Sequence, residues 1–475
     1  MAAIVLRPDI PTLAVDDGGP AAGLTVLERA ALVAWASDES PRVKALAETF
    51  GFGREGGANP LLIPADDGGG IARAVVLIAE PADPFALAAA AAALPAARYR
   101  FDAGTVQRFA PRLEAWALGW ALAGYRYERY RSQPSEKRAA VLLADAAIDR
   151  PRVQMTARAI SLVRDLVNTP ANDLGPGELA DSALALAEEL GGTAKIIRGE
   201  ELLRENYPAI YEVGKASARP PCLIDLVFGE DTQPKLTLIG KGVVFDTGGL
   251  DIKPSSAMRL MKKDMGGAAH ALALAYLLVA RGLKARLRVL IPAVENAVSG
   301  NAFRPGDVIM SRKGSSIEVG NTDAEGRLIL ADALEEAGRE NPSLIVDFAT
   351  LTGAARVALG PELPALFATR DDTATALLAC AAASADPLWR LPLWQPYRTA
   401  MKSGLADLSS TGMEGFAGAV TAALFLQHFV PEGADWLHLD LYAWNRRARP
   451  GRPEGGEAMG LRALADYLEQ RFERS

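Results

Sequence analysis

Two carboxylates stand two residues apart in the segment Asn321-Thr-Asp323-Ala-Glu325-Gly-Arg327. In an extended segment such residues point the same way. Asp323 and Glu325 are therefore expected to face one locus, where unpaired they would raise each other's pKa. A divalent cation removes that penalty. A second cluster, Lys241-Gly-Val-Val-Phe-Asp246-Thr-Gly-Gly, is followed by Lys253 and by Met261-Lys-Lys-Asp264-Met-Gly-Gly. Asp246 and Asp264 can complete the site. Four carboxylates exceed what one cation needs, so a bridged pair of metals is the natural expectation. The glycine pairs Gly248-Gly249 and Gly266-Gly267 let the backbone turn tightly and approach a ligand.

Lys241 admits two readings. It forms an ion pair with Asp246, or it loses its proton beside a cation and becomes a ligand. The residues alone favour the ion pair. Arg327 opens a helix, where backbone N–H groups favour anions. Its guanidinium adds a bidentate fork for a carboxylate-shaped anion. The plain alternative is a surface ion pair. His270, His428 and His438 are scattered without zinc-motif spacing and are expected to be packed or surface histidines. An oxygen-rich site suits zinc with open positions, manganese or magnesium.

The elements that must position these groups are legible from residue 220 onward. Strands are expected at Leu236–Gly240, Leu287–Pro292 and Leu344–Phe348. Helices are expected at Gly266–Ala280 and Arg327–Ala337. Asp307–Met310 and Ser316–Gly320 flank Lys313-Gly314 as a hairpin. Strands alternating with helices imply a mostly parallel sheet covered on both faces. Ligands in such sheets bind beyond the carboxyl ends of strands. Those ends are Gly240-Lys241-Gly242 and Ala349-Thr350-Leu351-Thr352-Gly353, both rich in small or polar residues.

Upstream, a helix is expected from Val153 to Val167, stopping before Asn168-Thr-Pro170. Arg150-Pro151 is the expected junction. It divides an N-terminal domain (1–150) from a catalytic domain (151–475). In the first part, Val75–Ile78 and Val141–Leu143 read as buried strands. Phe85–Leu94 and Pro111–Tyr130 read as helices, with Trp116 and Trp120 on one packed face. The fold class is thus α/β, with a larger C-terminal catalytic domain and a smaller N-terminal α/β domain.

The 475 residues are 49% hydrophobic and 23% charged, which excludes a mainly disordered chain. Net charge is −7, which argues against a nucleic-acid partner. Two cysteines, Cys222 and Cys380, make no disulfide framework and fit a reducing compartment. No signal peptide is read at the start, and the longest apolar runs are too short to span a bilayer. The expectation is a soluble, cytoplasmic protein without a membrane partner.

The two acidic clusters closely resemble the signatures of the cytosolic leucyl aminopeptidase family of hexameric di-zinc peptidases. The string Asn321–Leu328 looks like the family's eight-residue hallmark. Gly240–Gly249, Lys253, Asp264, Leu166–Asp173 and Ala349–Gly353 are further family-like matches. The resemblance covers about residues 150–475, and agreement over several separated motifs is far more specific than one short pattern.

What the resemblance implies is an aminopeptidase acting on peptides. Lys241, Asp246, Asp264, Asp323 and Glu325 would be metal ligands, with Asp246 and Glu325 bridging. Asp323 would complete one site, and Lys241 with Asp264 the other. Lys253 and Arg327 would be the catalytic pair, the arginine holding a bicarbonate as general base. Met261 would line the side-chain pocket, and the backbone at Thr350, Leu351 and Gly353 would hold the peptide. The cofactors implied are two divalent ions, zinc or manganese with magnesium admissible at one site, and a metal-bridged hydroxide would attack. A homo-oligomer, the hexamer, is implied too. The run Arg449–Leu461 departs from the family's commonest ending, which leaves leucine preference open.

Two other classes compete. A di-metal phosphohydrolase would use the same carboxylates, but no P-loop is present. A scaffold that lost catalysis would have shed ligands, and none is missing. Some family members act on DNA as regulators, a role the net charge argues against.

Overall fold

The computed structural model describes residues 3–66, 69–133, 139–412 and 415–473. The chain forms two compact units. One comprises Met1–Leu6, Leu162–Arg446 and Glu454–Ser475; the other comprises Arg7–Ser161 and Arg447–Pro453.

The larger unit is built on a nine-stranded mixed sheet. Its middle is parallel: Trp436–Asp440, Leu344–Ala349, Lys235–Gly240 and Arg286–Asn296 lie side by side in that order. Antiparallel strands flank this block. Ala365–Ala368 pairs with Trp436–Asp440, while Cys222–Phe228 and Thr193–Arg198 extend the other side. The strands of the parallel block are nearly continuous apolar runs, as strands covered on both faces must be. Ile239, Leu290, Ile345 and Trp436 share one core with the helices Glu325–Gly338 and Gly418–Gln427. The helix Gly266–Ala280 is buried almost all round. It packs on Lys235–Gly240 and Leu344–Ala349, with Leu461–Glu473 against its far side.

The expected helix Gly266–Ala280 is found with those bounds. The strands at 236 and 344 are each found one residue longer, the strand at 287 runs much further, from Arg286 to Asn296, and the hairpin forms between Val308–Met310 and Ser316–Glu318. The expected helix at Val153 begins earlier, at Arg150. Pro151 does not block it, because a proline in the first helical turn lacks only an N–H that would be unpaired anyway. The division between the two units falls within this helix.

The smaller unit has a six-stranded sheet in the order 13–15, 141–144, 98–101, 22–28, 71–78 and 61–64, parallel except at the last pair. Both expected strands lie in it. Trp116 and Trp120 are fully buried in the helix Leu113–Ala123. Two helices are shorter than expected. The first is confined to Ala88–Ala93, because Asp83 turns the chain by accepting the N–H of Phe85. The second stops at Gly124, where Arg126 donates to the freed carbonyl of Ala123 and ends the run.

Candidate metal centre and substrate cleft

The two expected strand ends open into one cleft of about 590 Å³ in the larger unit. Lys241, Asp246, Lys253, Met261, Asp264, Asp323, Glu325, Thr350, Leu351 and Gly353 all line it. Arg327 is the one expected site residue that does not.

Asp246, Asp323 and Glu325 reach the cleft by local devices. Asp246 ends the strand Gly242–Asp246, whose register against Arg286–Asn296 shifts between Val243 and Phe245. Such a bulge re-aims the residues beyond it. It sets Asp246 opposite Asn296, whose amide donates to Asp246 Oδ1 at 2.8 Å and to Thr322 O at 3.1 Å. Gly248 and Gly249 follow with φ of +89° and +66°, a conformation that favours glycine. Gly266 and Gly267 serve closeness instead: a Cβ on Gly267 would lie 2.1 Å from Phe348 O.

Asp323 and Glu325 do converge, but not along an extended segment. Thr322–Ala324 is a 3₁₀ turn that leads into the helix Glu325–Gly338. The Asn321 side chain accepts the N–H of Asp323 at 2.7 Å, the kind of cap that starts a helix and removes the strand geometry. Glu325 is thereby the first helical residue, and Asp323 stays at the cleft mouth with 34% of its side chain exposed.

The result is a tight constellation. One carboxylate oxygen from each of Asp246, Asp323 and Glu325 lies within 4.8 Å of the others. Lys241 does not pair with Asp246. Its Nζ lies 2.8 Å from Asp264 Oδ2 and 2.9 Å from Glu325 Oε1, and it donates to Thr350 O at 3.2 Å. It is Lys253 that contacts Asp246, at 2.7 Å, and it also pairs with Asp323. Gly326 lets Lys241 cross: a Cβ there would sit 2.5 Å from Lys241 Cε.

The electrostatics follow from burying Asp246, Asp264 and Glu325 together beside the more exposed Asp323. Burial pushes Asp246 up to about 6, and the Asp264 charge adds to it. Burial, then Asp246, pushes Glu325 up to about 7. Burial acts downward on Lys241 and Lys253, but the neighbouring carboxylates outweigh it and hold both above the usual lysine range. Arg327 is pulled down to about 10 by burial. Its Nη1 donates to Ser410 O at 2.6 Å, and its Nε is buried without a hydrogen bond among the described residues. Arg327 is thus a buried group rather than one half of a surface ion pair.

The donor set fits divalent cations. It is rich in hard oxygen ligands. Glu325 Oε2 is buried and makes no hydrogen bond among the described residues, a cost that a cation would remove.

The cleft also holds residues that the motifs did not reveal. Asp440 accepts hydrogen bonds from the loop at Leu351 and Thr352. Lys263 is buried, pulled down to about 8 by burial, and lies 4.9 Å from the Tyr442 ring. Arg356 lies 5.1 Å from the same ring. The three histidines are outside the constellation. His270 holds Met459 N at 2.9 Å, His438 pairs with Asp347 at 2.6 Å, and His428 meets Ser315 at 3.2 Å.

Comparison with known proteins gives a consistent picture. Residues 161–465 match the catalytic domain of the cytosol aminopeptidase family, and residues 22–144 match the M17 aminopeptidase N-terminal domain. The likeness therefore extends into the first part of the chain, where sequence motifs gave no footing. The chain is 44% identical over 370 residues to a probable cytosol aminopeptidase of Syntrophotalea carbinolica, covering 74% of each. The crystal structure of a cytosol aminopeptidase from Coxiella burnetii superposes with a TM-score of 0.92 at 44% identity, covering 97% of this chain and 99% of that one. The bottromycin maturation enzyme BotP, solved in complex with Mn, gives 0.84 at 33% identity, over 95% and 100% of the two chains.

Proposed function

The chain belongs to the cytosol aminopeptidase family and is a metal-dependent aminopeptidase acting on peptides, and we propose that Lys241, Asp246, Asp264, Asp323 and Glu325 are its metal ligands. Asp246 and Glu325 would be shared by two cations. Asp323 would complete one site, and Lys241 with Asp264 the other. Zinc or manganese suits these donors, with magnesium admissible at one site. Bound there, two divalent cations supply Lewis acidity, which polarises a carbonyl and lowers the pKa of water. Lys241 must shed its proton to bind, so metal uptake releases protons.

The other residues do the positioning. With metals held by these five residues, the free amine of the substrate would be selected there, which would restrict cleavage to the N-terminal residue. Lys253 reaches between Asp246 and Asp323 and stabilises developing oxyanion charge. Arg327, whose Nε is buried without a hydrogen bond among the described residues, would hold a bicarbonate-sized anion, and the chemistry that anion would supply is proton transfer between water and leaving amine. Backbone at Thr350, Leu351 and Gly353 holds the peptide, and Met261 lines the side-chain pocket. A cytoplasmic hexamer is part of the same proposal. No helix of the described residues is long and apolar enough to cross a membrane.

The observation that carries this reading is the convergence of three carboxylate oxygens within 4.8 Å beside the Lys241–Asp264–Glu325 cluster. A panel of fluorogenic aminoacyl amides, run with zinc, manganese and a chelator, tests it. Hydrolysis is expected to vanish with chelator and return with metal. Undiminished turnover under chelation, or cleavage of phosphoesters rather than amides, overturns it.

A further inference from the structure

The strand Leu344–Ala349 ends beside Asp440, its register partner being Ala349. Beyond that point the chain leaves the sheet, and the amide N–H groups of the next residues lose their ladder partners. Buried N–H groups left in that state are costly. Asp440 supplies the missing acceptors. Its Oδ1 accepts from Leu351 N at 3.0 Å and Thr352 N at 3.2 Å, and its Oδ2 accepts from Thr352 Oγ1 at 2.6 Å. Thr352 Oγ1 then accepts Ala355 N at 3.0 Å and caps the helix Gly353–Leu359. On the other side, Thr350 Oγ1 donates to Asp264 Oδ1 at 2.8 Å, and Thr350 O accepts from Lys241.

The loop is therefore fastened twice. One fastening is to the two proposed metal ligands, and the other is to a buried carboxylate that takes no part in the acidic constellation. We propose that Asp440 is a positioning residue for the peptide-binding loop: it holds the Leu351–Thr352 backbone at the distance from the metal centre that substrate needs. This rests on the reading that the Thr350–Gly353 backbone binds the peptide. Asp440 acts chiefly through its acceptor geometry: both amides share one oxygen. An asparagine keeps that oxygen, and its amide nitrogen can donate to Thr352 Oγ1.

The test compares Asp440→Ala, Asp440→Asn and Thr352→Val in the metal-loaded full chain. It reads KM and kcat on an aminoacyl amide, metal content, and hydrogen exchange of the peptide spanning Leu351 and Thr352. In Asp440→Ala, KM is expected to rise by at least about tenfold, the size of one hydrogen bond to a charged group. The loop amides should lose protection while both metals stay. Asp440→Asn should recover KM to within about threefold, and Thr352→Val, which keeps both amide bonds, should fall between. Equal damage in Asp440→Asn and Asp440→Ala overturns the acceptor role. Unchanged exchange in Asp440→Ala shows that Asp440 does not hold the loop. Lost protection with unchanged KM shows instead that the loop does not bind the peptide, and the underlying reading fails. Should Asp440→Ala not fold, the order of wild type, Asp440→Asn and Thr352→Val decides the matter.

Discussion

The chemistry of the site lies in charges that are tolerable only together. Asp246 and Glu325 are raised to about 6 and about 7 because they are buried beside other acids, and two lysines hold the cluster in check. Removing one acid should therefore lose more than one ligand atom. Asp323→Ala and Glu325→Ala are expected to abolish hydrolysis of an aminoacyl amide and to lower bound metal, measured by elemental analysis on the same sample. Normal turnover in either variant would refute the ligand assignment. Arg327→Ala should behave differently, since its guanidinium touches none of the acids and donates to Ser410 O. Turnover should fall by two orders of magnitude or so, the range for a lost acid–base contribution, with metal content near wild type. Metal loss in that variant would mean that Arg327 supports the ligands instead. The acids and lysines were legible because each stands in a short string whose residue types make sense only around cations. Asp440 and Asn296 were not. Their roles come from partners brought close by the fold, such as Asp440 with Leu351, 89 positions apart.

At the level of elements, the core strands and the helix Gly266–Ala280 were legible because long apolar runs bounded by glycine and charge leave little choice. The turn at Thr322–Ala324 was not, because alternation of two acids imitates a strand until the Asn321 cap is seen. The helix ends at Ala88 and Ala123 were set by Asp83 and Arg126, single side chains that periodicity does not weigh. One element carries a pH prediction. His270 sits inside the helix Gly266–Ala280 and accepts Met459 N through Nε2, which ties the segment before the final helix to it. Burial depresses its pKa from 6.5 to about 4. The unfolded chain then takes up a proton below about 6.5 that the native state refuses until about 4. Stability contributed by neutral His270 is present above that window and is lost as pH falls through it. Urea unfolding at pH 7 and pH 5 should show roughly 2 kcal/mol more acid destabilisation in wild type than in His270→Gln. An identical pH slope in both would show that His270 does not titrate across the window.

As a whole, the molecule sets a cleft at the carboxyl ends of parallel strands, as open α/β sheets do, and carries a second compact unit drawn mostly from residues 7–161. The order of the strands beyond the parallel block was not legible, because the antiparallel flanks at Ala365–Ala368 and Cys222–Phe228 depend on long connections rather than on local pattern. The proposed hexamer belongs to this scale. Light scattering after gel filtration should give about 300 kDa for six chains of 50.2 kDa. A monomer mass over the working concentration range would remove that part of the proposal.

The account depends most on two cations sharing one nest of side chains. Crystals grown with manganese and measured at its absorption edge test this directly. Two anomalous peaks are expected, with Asp246 and Glu325 touching both, Asp323 one of them, and Lys241 with Asp264 the other. Density for no manganese among these five residues, in crystals whose protein still cleaves aminoacyl amides, would contradict it.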